Sequence, residues 1–296
     1  MRVTVFGATG DQGCAQIDRL VASGHRPVAA VRDPSRLPDV DAVQADYRDH
    51  DSIRRAVAGS DRVFLTLPST SFNDAGMVEA AANAVAEAAR AEGTGMILFN
   101  TSMYLGDAPL GFAAQDARFR IRQNLFDSGV PTVSIQPVIY AGNLRFPWVV
   151  AGIRDEGVIR YPHDETLPVS WISQESTADL MIAAMDRPAL AGQAFNVGGP
   201  DAICGPELAR RLSPVVGRSL RFETLPVATF ATRMAARFGA ESLPTPTLID
   251  ALERIYHWYN HGAEQPFTVD MTPILTLLPA PPEPIERWAA RQQWII

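Results

Sequence analysis

The chain has 296 residues, a formal net charge of −7 and a hydrophobic fraction of 47%. This length suits one large domain or two, and an acidic balance without a dense basic stretch argues against nucleic acid or an anionic membrane as partner. No apolar run is long enough to span a bilayer. The two cysteines, Cys14 and Cys204, exclude a disulfide framework and have no neighbours at metal-ligand spacing. We expect a soluble cytoplasmic protein without a metal.

All 26 basic residues are arginine, and the chain contains no lysine. Schiff-base chemistry is therefore excluded, as is any mechanism that needs a lysine ammonium. Arginine does not replace lysine freely, because it keeps its proton and presents a planar fork instead of a point charge.

The N-terminus combines a short apolar strand, 2–6, with three glycines spaced three apart and a helical pattern behind them. In a dinucleotide-binding turn, Gly7 allows the tight exit from the strand and Gly10 lets the backbone approach a pyrophosphate. Gly13 lets the helix pack closely on the strand. The phosphates would then lie at the helix N-terminus, where unpaired N–H groups and the helix dipole favour negative charge. A plain strand–turn–helix would tolerate the same glycines.

Strands and helices alternate along the first half of the chain. The pattern predicts strands at 27–31, 42–45, 62–67, 96–100 and 132–136, with helices at 52–58, 75–92 and 110–127. A later strand is predicted at 194–197. Such alternation indicates an α/β fold of Rossmann type, a doubly wound parallel sheet with helices on both faces.

The second half is less regular and richer in proline and aromatic residues. It predicts helices at 148–156, 175–186, 206–216, 228–238, 245–259 and 284–293. We therefore expect a dinucleotide-binding domain over 1–142, with a returning strand near 194–199, and a smaller, mostly helical substrate-binding cap over 143–296.

Ligands of such sheets bind beyond the carboxyl ends of the strands. This rule selects the segments 7–13, 32–36, 67–70, 101–104 and 137–143 as one candidate cleft. Outside the three glycines, the residues predicted to contact the dinucleotide are Thr9, Asp11, Gln12, Arg32, Arg36, Asp46, Leu67, Pro68 and Thr101.

The residues after the second strand bear on which dinucleotide is bound. An acidic residue commonly accepts hydrogen bonds from the adenosine ribose there, but Arg32 stands at that position and Arg36 follows. A guanidinium matches a 2′-phosphate by bidentate hydrogen bonds, so NADP(H) is favoured over NAD. The alternative is that Arg32 and Asp33 are solvated loop charges. Asp46 lies near the adenine or on the surface.

The ordered motifs resemble the NmrA-like branch of the atypical short-chain dehydrogenases/reductases. The resemblance rests on GATG-x-x-G at 7–13, VRDP at 31–34, DSGVPT at 127–132, Gln136-Pro137, Asn143, FNVGGP at 195–200 and IERWA at 285–289. It covers nearly the whole chain and implies an NAD(P)-binding fold. Such relatives include NADPH-dependent quinone, isoflavone and benzylic-ether reductases, and also nucleotide-sensing regulators.

The chain departs from the wider superfamily at the catalytic relay. Many members carry Tyr-x-x-x-Lys on the helix after the fifth strand, and here those two positions fall at Ala114 and Arg118. Their i, i+4 spacing places them on one helix face. The usual proton relay is therefore absent.

Replacement donors follow the fifth and sixth strands. Ser102 and Tyr104 come after the fifth strand and Tyr140 after the sixth, where a proton or oxyanion donor would serve hydride transfer. Positive charge from Arg118 would lower the pKa of such a tyrosine. The alternative is that both tyrosines only line the pocket.

Aromatic residues leave the substrate class open. Met103, Phe112, Phe146, Trp148 and Trp171 would wall a pocket for an apolar or aromatic small molecule, or they belong to the core. His163 lacks an evident catalytic partner, which favours a surface or packing role. The aromatic stretch 256–259 closes over the substrate or forms a dimer surface, so a monomer and a homodimer both remain open.

Three functions follow. The first is an NADPH-dependent reductase of a small carbonyl, quinone or conjugated C=C substrate. The second is a non-catalytic NADP(H)-sensing protein, and the third is a non-redox isomerase or cyclase on the same scaffold.

Overall fold

A computed structural model describes residues 1–68, 74–238 and 245–294. Positions 69–70 of the predicted cleft lie outside these ranges. The strands are β1 (Arg2–Phe6), β2 (Arg26–Val31), β3 (Ala42–Gln44), β4 (Arg62–Thr66), β5 (Met96–Asn100), β6 (Thr132–Pro137), β7 (Val158–Tyr161), β8 (Ala194–Val197) and β9 (Arg221–Thr224). The helices are α1 (Asp11–Ala22), α2 (His50–Val57), α3 (Ala75–Ala91), α4 (Ala113–Asp127), α5 (Pro147–Ala151), α6 (Gln174–Met185), α7 (Gly205–Val216), α8 (Val227–Phe238), α9 (Thr245–His261), α10 (Thr272–Leu277) and α11 (Ile285–Ala289).

Seven strands form one sheet in the order β3-β2-β1-β4-β5-β6-β8. The pairings from β3 across to β6 are parallel, with Val5 opposite Ala29 on one side and Phe64 on the other. The chain winds outward from β1 through β2 to β3 and then returns to β4, so the order reverses between β1 and β4. The predicted α/β class is confirmed, and this reversal is where doubly wound sheets bind ligands.

Both faces of the sheet are covered by helices. α2, α3 and α4 pack in sequence against one another, and α1 packs against α6. Buried strands between two helical layers have near-continuous apolar sequences, as in the fully buried β5. Helix α3 contributes mainly alanines to the core, and these small side chains permit close packing.

The described residues form two compact units that are discontinuous in sequence. The first contains 1–137, 174–196 and 273–280, and the second contains 138–173, 197–272 and 281–296. From the sequence, the first domain was predicted to end at residue 142. Of the chain beyond that residue, only a returning strand near 194–199 was predicted to belong to it. The structure also groups α6 with that unit, because this helix packs against α1, β5 and β6.

The second unit holds α5, α7, α8 and α9 with a parallel pair formed by β7 and β9. The helix predicted over 148–156 is instead the short α5 followed by a π-helical turn, Gly152–Glu156. Gly157 ends this turn with a φ of 69°, in the left-handed region that favours glycine. Neither β7 nor β9 was predicted; each pairs with the other across more than 60 residues of sequence, outside the alternation of strands and helices.

Two findings concern the described part of the chain alone. Within it, no helix combines the length and apolar character needed to cross a bilayer. Among the same residues, there is no group of three or more His, Cys, Asp or Glu side chains arranged to bind a metal ion.

Candidate functional site

The turn between β1 and α1 requires glycine at two positions. Gly7 has a φ of 76°, and a Cβ there would lie 2.7 Å from the backbone oxygen of Thr66. A Cβ on Gly13 would lie 2.2 Å from the oxygen of Gly7 and 2.6 Å from the Cα of Ala8. Both approaches are far shorter than van der Waals contact, so the close backbone packing exists only with these glycines.

Gly10 has a different environment, because a Cβ there would approach only the oxygen of Gly7, at 3.5 Å. Gly10 is also the N-cap of α1 and has no side chain to accept a hydrogen bond from the first-turn amides. An open backbone surface at a helix N-terminus suits a phosphate group. The residues present therefore fit a dinucleotide, whose pyrophosphate Gly10 and the first turn of α1 would hold. Thr9 and Asp11 flank Gly10 and are exposed.

A hydrogen-bond network joins the first turn of α1 to the segment after β5. Gln12 Oε1 accepts hydrogen bonds from Asn100 Nδ2 and Ser102 Oγ, both at 2.8 Å. Asn100 Oδ1 in turn accepts from the Ser102 backbone N–H at 2.9 Å. We name this set, Gln12, Asn100 and Ser102, the Gln12 clamp. It brings together two predicted site residues, Gln12 and Ser102, and adds Asn100, which was not among the predicted site residues.

Ser102 adopts an unusual backbone conformation within the clamp. Its φ is 63°, in the left-handed region that non-glycine residues rarely occupy. Such a conformation costs about 1–3 kcal/mol and persists where surrounding contacts fix it. The two hydrogen bonds of Ser102 supply that fixation. Its neighbour Thr101 is fully buried and donates from Oγ1 to the oxygen of Met103 at 2.7 Å.

The end of β4 lies beside the same turn. Thr66 Oγ1 accepts a hydrogen bond from Gln16 Nε2 at 2.9 Å, and the Tyr47 hydroxyl donates to the Thr66 oxygen at 3.1 Å. Burial raises the pKa of Tyr47, so this hydroxyl stays protonated. Leu67 follows as a buried residue and Pro68 is half-buried.

The segment after β2 places two arginines in solvent. Arg32 is exposed before a short 3₁₀ turn, Pro34–Arg36, and Arg36 is exposed at its end. Asp33 caps this turn, since its Oδ1 accepts from the Ser35 N–H at 3.0 Å and from Ser35 Oγ at 2.7 Å. These hydrogen bonds from Ser35 lower the pKa of Asp33.

Asp46 has a comparable local role after β3. Its Oδ1 accepts from the backbone N–H of Arg48 at 2.9 Å, and its own N–H donates to Ser52 Oγ at 2.9 Å. These contacts shape the turn that leads into α2.

The remaining predicted catalytic residues have contrasting environments. Tyr104 is half-buried, whereas Arg118 on α4 is only 2% exposed. Burial lowers the pKa of Arg118 to about 10, which still leaves the guanidinium charged at neutral pH. Tyr140 belongs to the second unit, is 5% exposed and forms a parallel bridge with Ile172.

A buried aromatic cluster occupies the second unit. Tyr161 contacts the rings of His163, Trp171 and Phe230 at centroid distances of 4.7, 5.2 and 5.8 Å. The buried Tyr161 hydroxyl accepts from Asn143 Nδ2 at 3.2 Å. Burial raises the pKa of Tyr161 to about 12. Trp171 is thus a core residue, and His163, 2% exposed, has a packing role.

Comparison with known proteins finds reductases among the relatives. The chain is 32% identical over 240 residues to a (4-alkanoyl-5-oxo-2,5-dihydrofuran-3-yl)methyl phosphate reductase of Streptomyces griseus, covering 80% of this chain and 81% of the relative. It is 28% identical over 262 residues to an NAD(P)H azoreductase of Xenophilus azovorans, covering 86% of each.

A solved structure shares the fold. The triphenylmethane reductase of Citrobacter sp., crystallised with NADP(H), superimposes with a TM-score of 0.75 at 17% identity, covering 99% of both chains. The model of the NmrA-like family matches residues 1–282, nearly the entire sequence. The expected resemblance is therefore confirmed, and the chain belongs to the NmrA-like family.

Proposed function

We propose that the protein is an NADPH-dependent reductase of a small carbonyl, quinone or conjugated C=C substrate. The observation that carries the proposal is the open backbone surface at Gly10, on an N-terminus of α1 that has no side-chain cap. The two reductases among the relatives support the reaction class. The relative from Streptomyces griseus acts on a ring in which a C=C bond is conjugated with carbonyl groups, and this supports an electron-poor double bond as the acceptor.

A reduced nicotinamide supplies a hydride when it is bound, and the reduced acceptor then needs one proton. We assign proton delivery to Tyr104, which shares a loop with the conformationally fixed Ser102. The Ser102 hydroxyl donates to Gln12, so Ser102 positions this loop. The role that we propose for Arg118 is to stabilise the tyrosinate left after proton transfer, and Tyr140 is the second candidate donor.

Our first prediction concerns cofactor preference. Arg32→Glu is expected to weaken NADPH binding at least tenfold while NADH binding changes less than threefold, because only the 2′-phosphate would lose an ionic partner. Isothermal titration calorimetry with each dinucleotide measures this. Arg54→Glu, an equal charge change at an exposed position of α2, is the control and should bind both as wild type does. Unchanged NADPH affinity in Arg32→Glu would refute the assignment of NADPH.

Our second prediction concerns the Gln12 clamp. Gln12→Ala removes the acceptor of both Asn100 and Ser102, so the loop that carries Tyr104 loses its fixed position. We expect kcat to fall about tenfold at saturating NADPH, with the KM for NADPH changed less than threefold. Tyr104→Phe in the same assay gives the loss caused by removing the proton donor. Asp18→Ala, exposed on the same helix, should leave both constants unchanged; an unchanged kcat in Gln12→Ala would rule out a positioning role.

The function itself is tested by following the near-ultraviolet absorbance of NADPH. Three acceptors of different class are supplied: 2-methyl-1,4-naphthoquinone, the azo dye methyl red and a 3-acyl butenolide. Oxidation of NADPH with at least one of them, absent without protein, is the expected result. Tight NADPH binding with no oxidation of NADPH by any acceptor would contradict the reductase and favour the sensing protein. Conversion of an acceptor without net NADPH consumption would favour the non-redox enzyme.

A further inference from the structure

Helix α8 carries two arginines one turn apart, Arg233 and Arg237, and no acidic residue. Within residues 1–68, 74–238 and 245–294, neither guanidinium has a hydrogen bond or an ion pair. Like charges at i, i+4 repel one another and destabilise a helix. The arrangement is therefore unfavourable unless something neutralises the two charges.

Other arginines of the same unit are paired with carboxylates. Arg160 contacts Glu156 at 2.6 Å and Glu223 at 2.8 Å. Arg211 contacts Asp201 at 2.7 Å and Glu207 at 2.8 Å. Arg233 and Arg237 lack such a carboxylate partner among the described residues, and they differ from the exposed Arg254 in lying over aromatic rings.

Each of the two guanidiniums lies over an aromatic ring at the start of α5. Arg233 is 5.9 Å from the ring centroid of Trp148, and Arg237 is 5.4 Å from that of Phe146. The Phe146 and Trp148 rings are themselves 4.8 Å apart, and Phe230 of α8 meets Trp148 edge-on at 6.1 Å. Cation–π contacts hold the guanidiniums without using their N–H groups. The N–H donors of both arginines therefore have no acceptor among the described residues.

The same place contains a donor without an acceptor. The Trp148 indole Nε1 is buried and has no hydrogen-bond partner among the residues that the structure describes. A buried indole N–H normally finds an acceptor. Two guanidiniums therefore lie over two neighbouring aromatic rings, one of which has an unsatisfied indole N–H, and the guanidinium donors favour an acceptor-rich anion.

We propose that Phe146, Trp148, Arg233 and Arg237 form a binding site for a small anion attached to an aromatic ring, an aryl phosphate or aryl carboxylate. The guanidinium forks match the oxygens of such an anion, and the aryl group stacks against the aromatic base. This ligand site goes beyond the proposed reductase activity and does not depend on it.

The test is isothermal titration calorimetry of the full chain with 1-naphthyl phosphate, 1-naphthol and inorganic phosphate. Wild type is expected to bind 1-naphthyl phosphate at least tenfold more tightly than either of the other two, and added salt should weaken that binding. Arg233→Gln/Arg237→Gln should weaken it at least tenfold. Equal affinity of the double variant and wild type would overturn the site, as would equal affinity of wild type for 1-naphthol.

The control is Arg254→Gln, on the neighbouring helix α9, where an exposed arginine also lacks a described ion pair. It should bind 1-naphthyl phosphate within twofold of wild type, whereas a tenfold loss there would show that general charge, not this site, governs binding. Thermal unfolding verifies that each variant is folded. If the double variant does not fold, the single variants are titrated, and each should weaken binding at least threefold; wild-type affinity in both would overturn the proposal.

Discussion

Gly13→Ala is expected to weaken dinucleotide binding at least a hundredfold and to destabilise the protein. The added Cβ would lie 2.2 Å from the oxygen of Gly7 and 2.6 Å from the Cα of Ala8, and backbone atoms cannot rotate away as a flexible side chain can. The turn must therefore deform. Overpacking of this kind costs about 3 kcal/mol. Chemical denaturation measures the free energy of unfolding, and NADPH fluorescence titration should show a dissociation constant raised at least a hundredfold.

Two further glycines separate loss of the fold from loss of the site. In Gly10→Ala the new Cβ would lie 3.5 Å from the Gly7 oxygen, an ordinary contact, so this variant should fold like wild type. It should still bind NADPH at least tenfold more weakly, because the methyl group would occupy the surface proposed for the pyrophosphate. Gly76→Ala on α3 meets nothing within 4 Å and should leave NADPH binding unchanged. Wild-type NADPH affinity in Gly10→Ala would refute the pyrophosphate position.

The sheet could be predicted because its strands are apolar runs that are buried on both faces and bounded by clear turns. The predicted ranges for β5 and β8 coincide with the observed ones, Met96–Asn100 and Ala194–Val197. Their alternation with helices determines parallel pairing, so the fold class followed from local signals. β7 and β9 do not belong to this alternation, because they form a separate pair from distant parts of the chain.

Part of the candidate site could be predicted because it, too, is encoded by a local sequence pattern. The glycines and Gln12 lie close together in sequence and form one motif. The Gln12 clamp also needs Asn100, 88 residues away, whose only sequence signal is a polar residue at the end of a buried apolar strand. The left-handed φ of Ser102 is set by these tertiary contacts, so it could not be predicted from the presence of a serine in the sequence. The contacts of Arg233 with Trp148 and of Arg237 with Phe146 likewise arise from packing between segments far apart in sequence.

His163 makes the second unit sensitive to acid. Its ring lies among Tyr161, Trp171, Tyr256 and Phe267, at centroid distances of 4.7, 5.6, 6.2 and 4.7 Å. Neither ring nitrogen has a hydrogen-bond partner within the described residues. Burial therefore favours the neutral imidazole and lowers the pKa of His163 from 6.5 to about 3. A cation in this aromatic environment would lose its hydration without gaining an acceptor.

The consequence for stability follows from proton linkage. Between pH 6.5 and pH 3 the unfolded chain binds a proton at this position and the folded chain does not, so the contribution is fully present above pH 6.5 and is lost as the pH falls. At pH 5 the loss of stability is about 2 kcal/mol, since one pKa unit corresponds to about 1.4 kcal/mol.

His163→Phe keeps an aromatic ring among the same neighbours and removes the titrating group. Its unfolding free energy should match that of wild type within about 1 kcal/mol at pH 7 and exceed it by about 2 kcal/mol at pH 5. Chemical denaturation at both pH values measures the difference, and His50→Gln, an exposed histidine on α2, should follow wild type. If the free energies of unfolding of wild type and His163→Phe changed in parallel with pH, the imidazole would be protonated in the folded protein as it is in the unfolded chain. The four aromatic rings around it would then have to admit water or another hydrogen-bond acceptor.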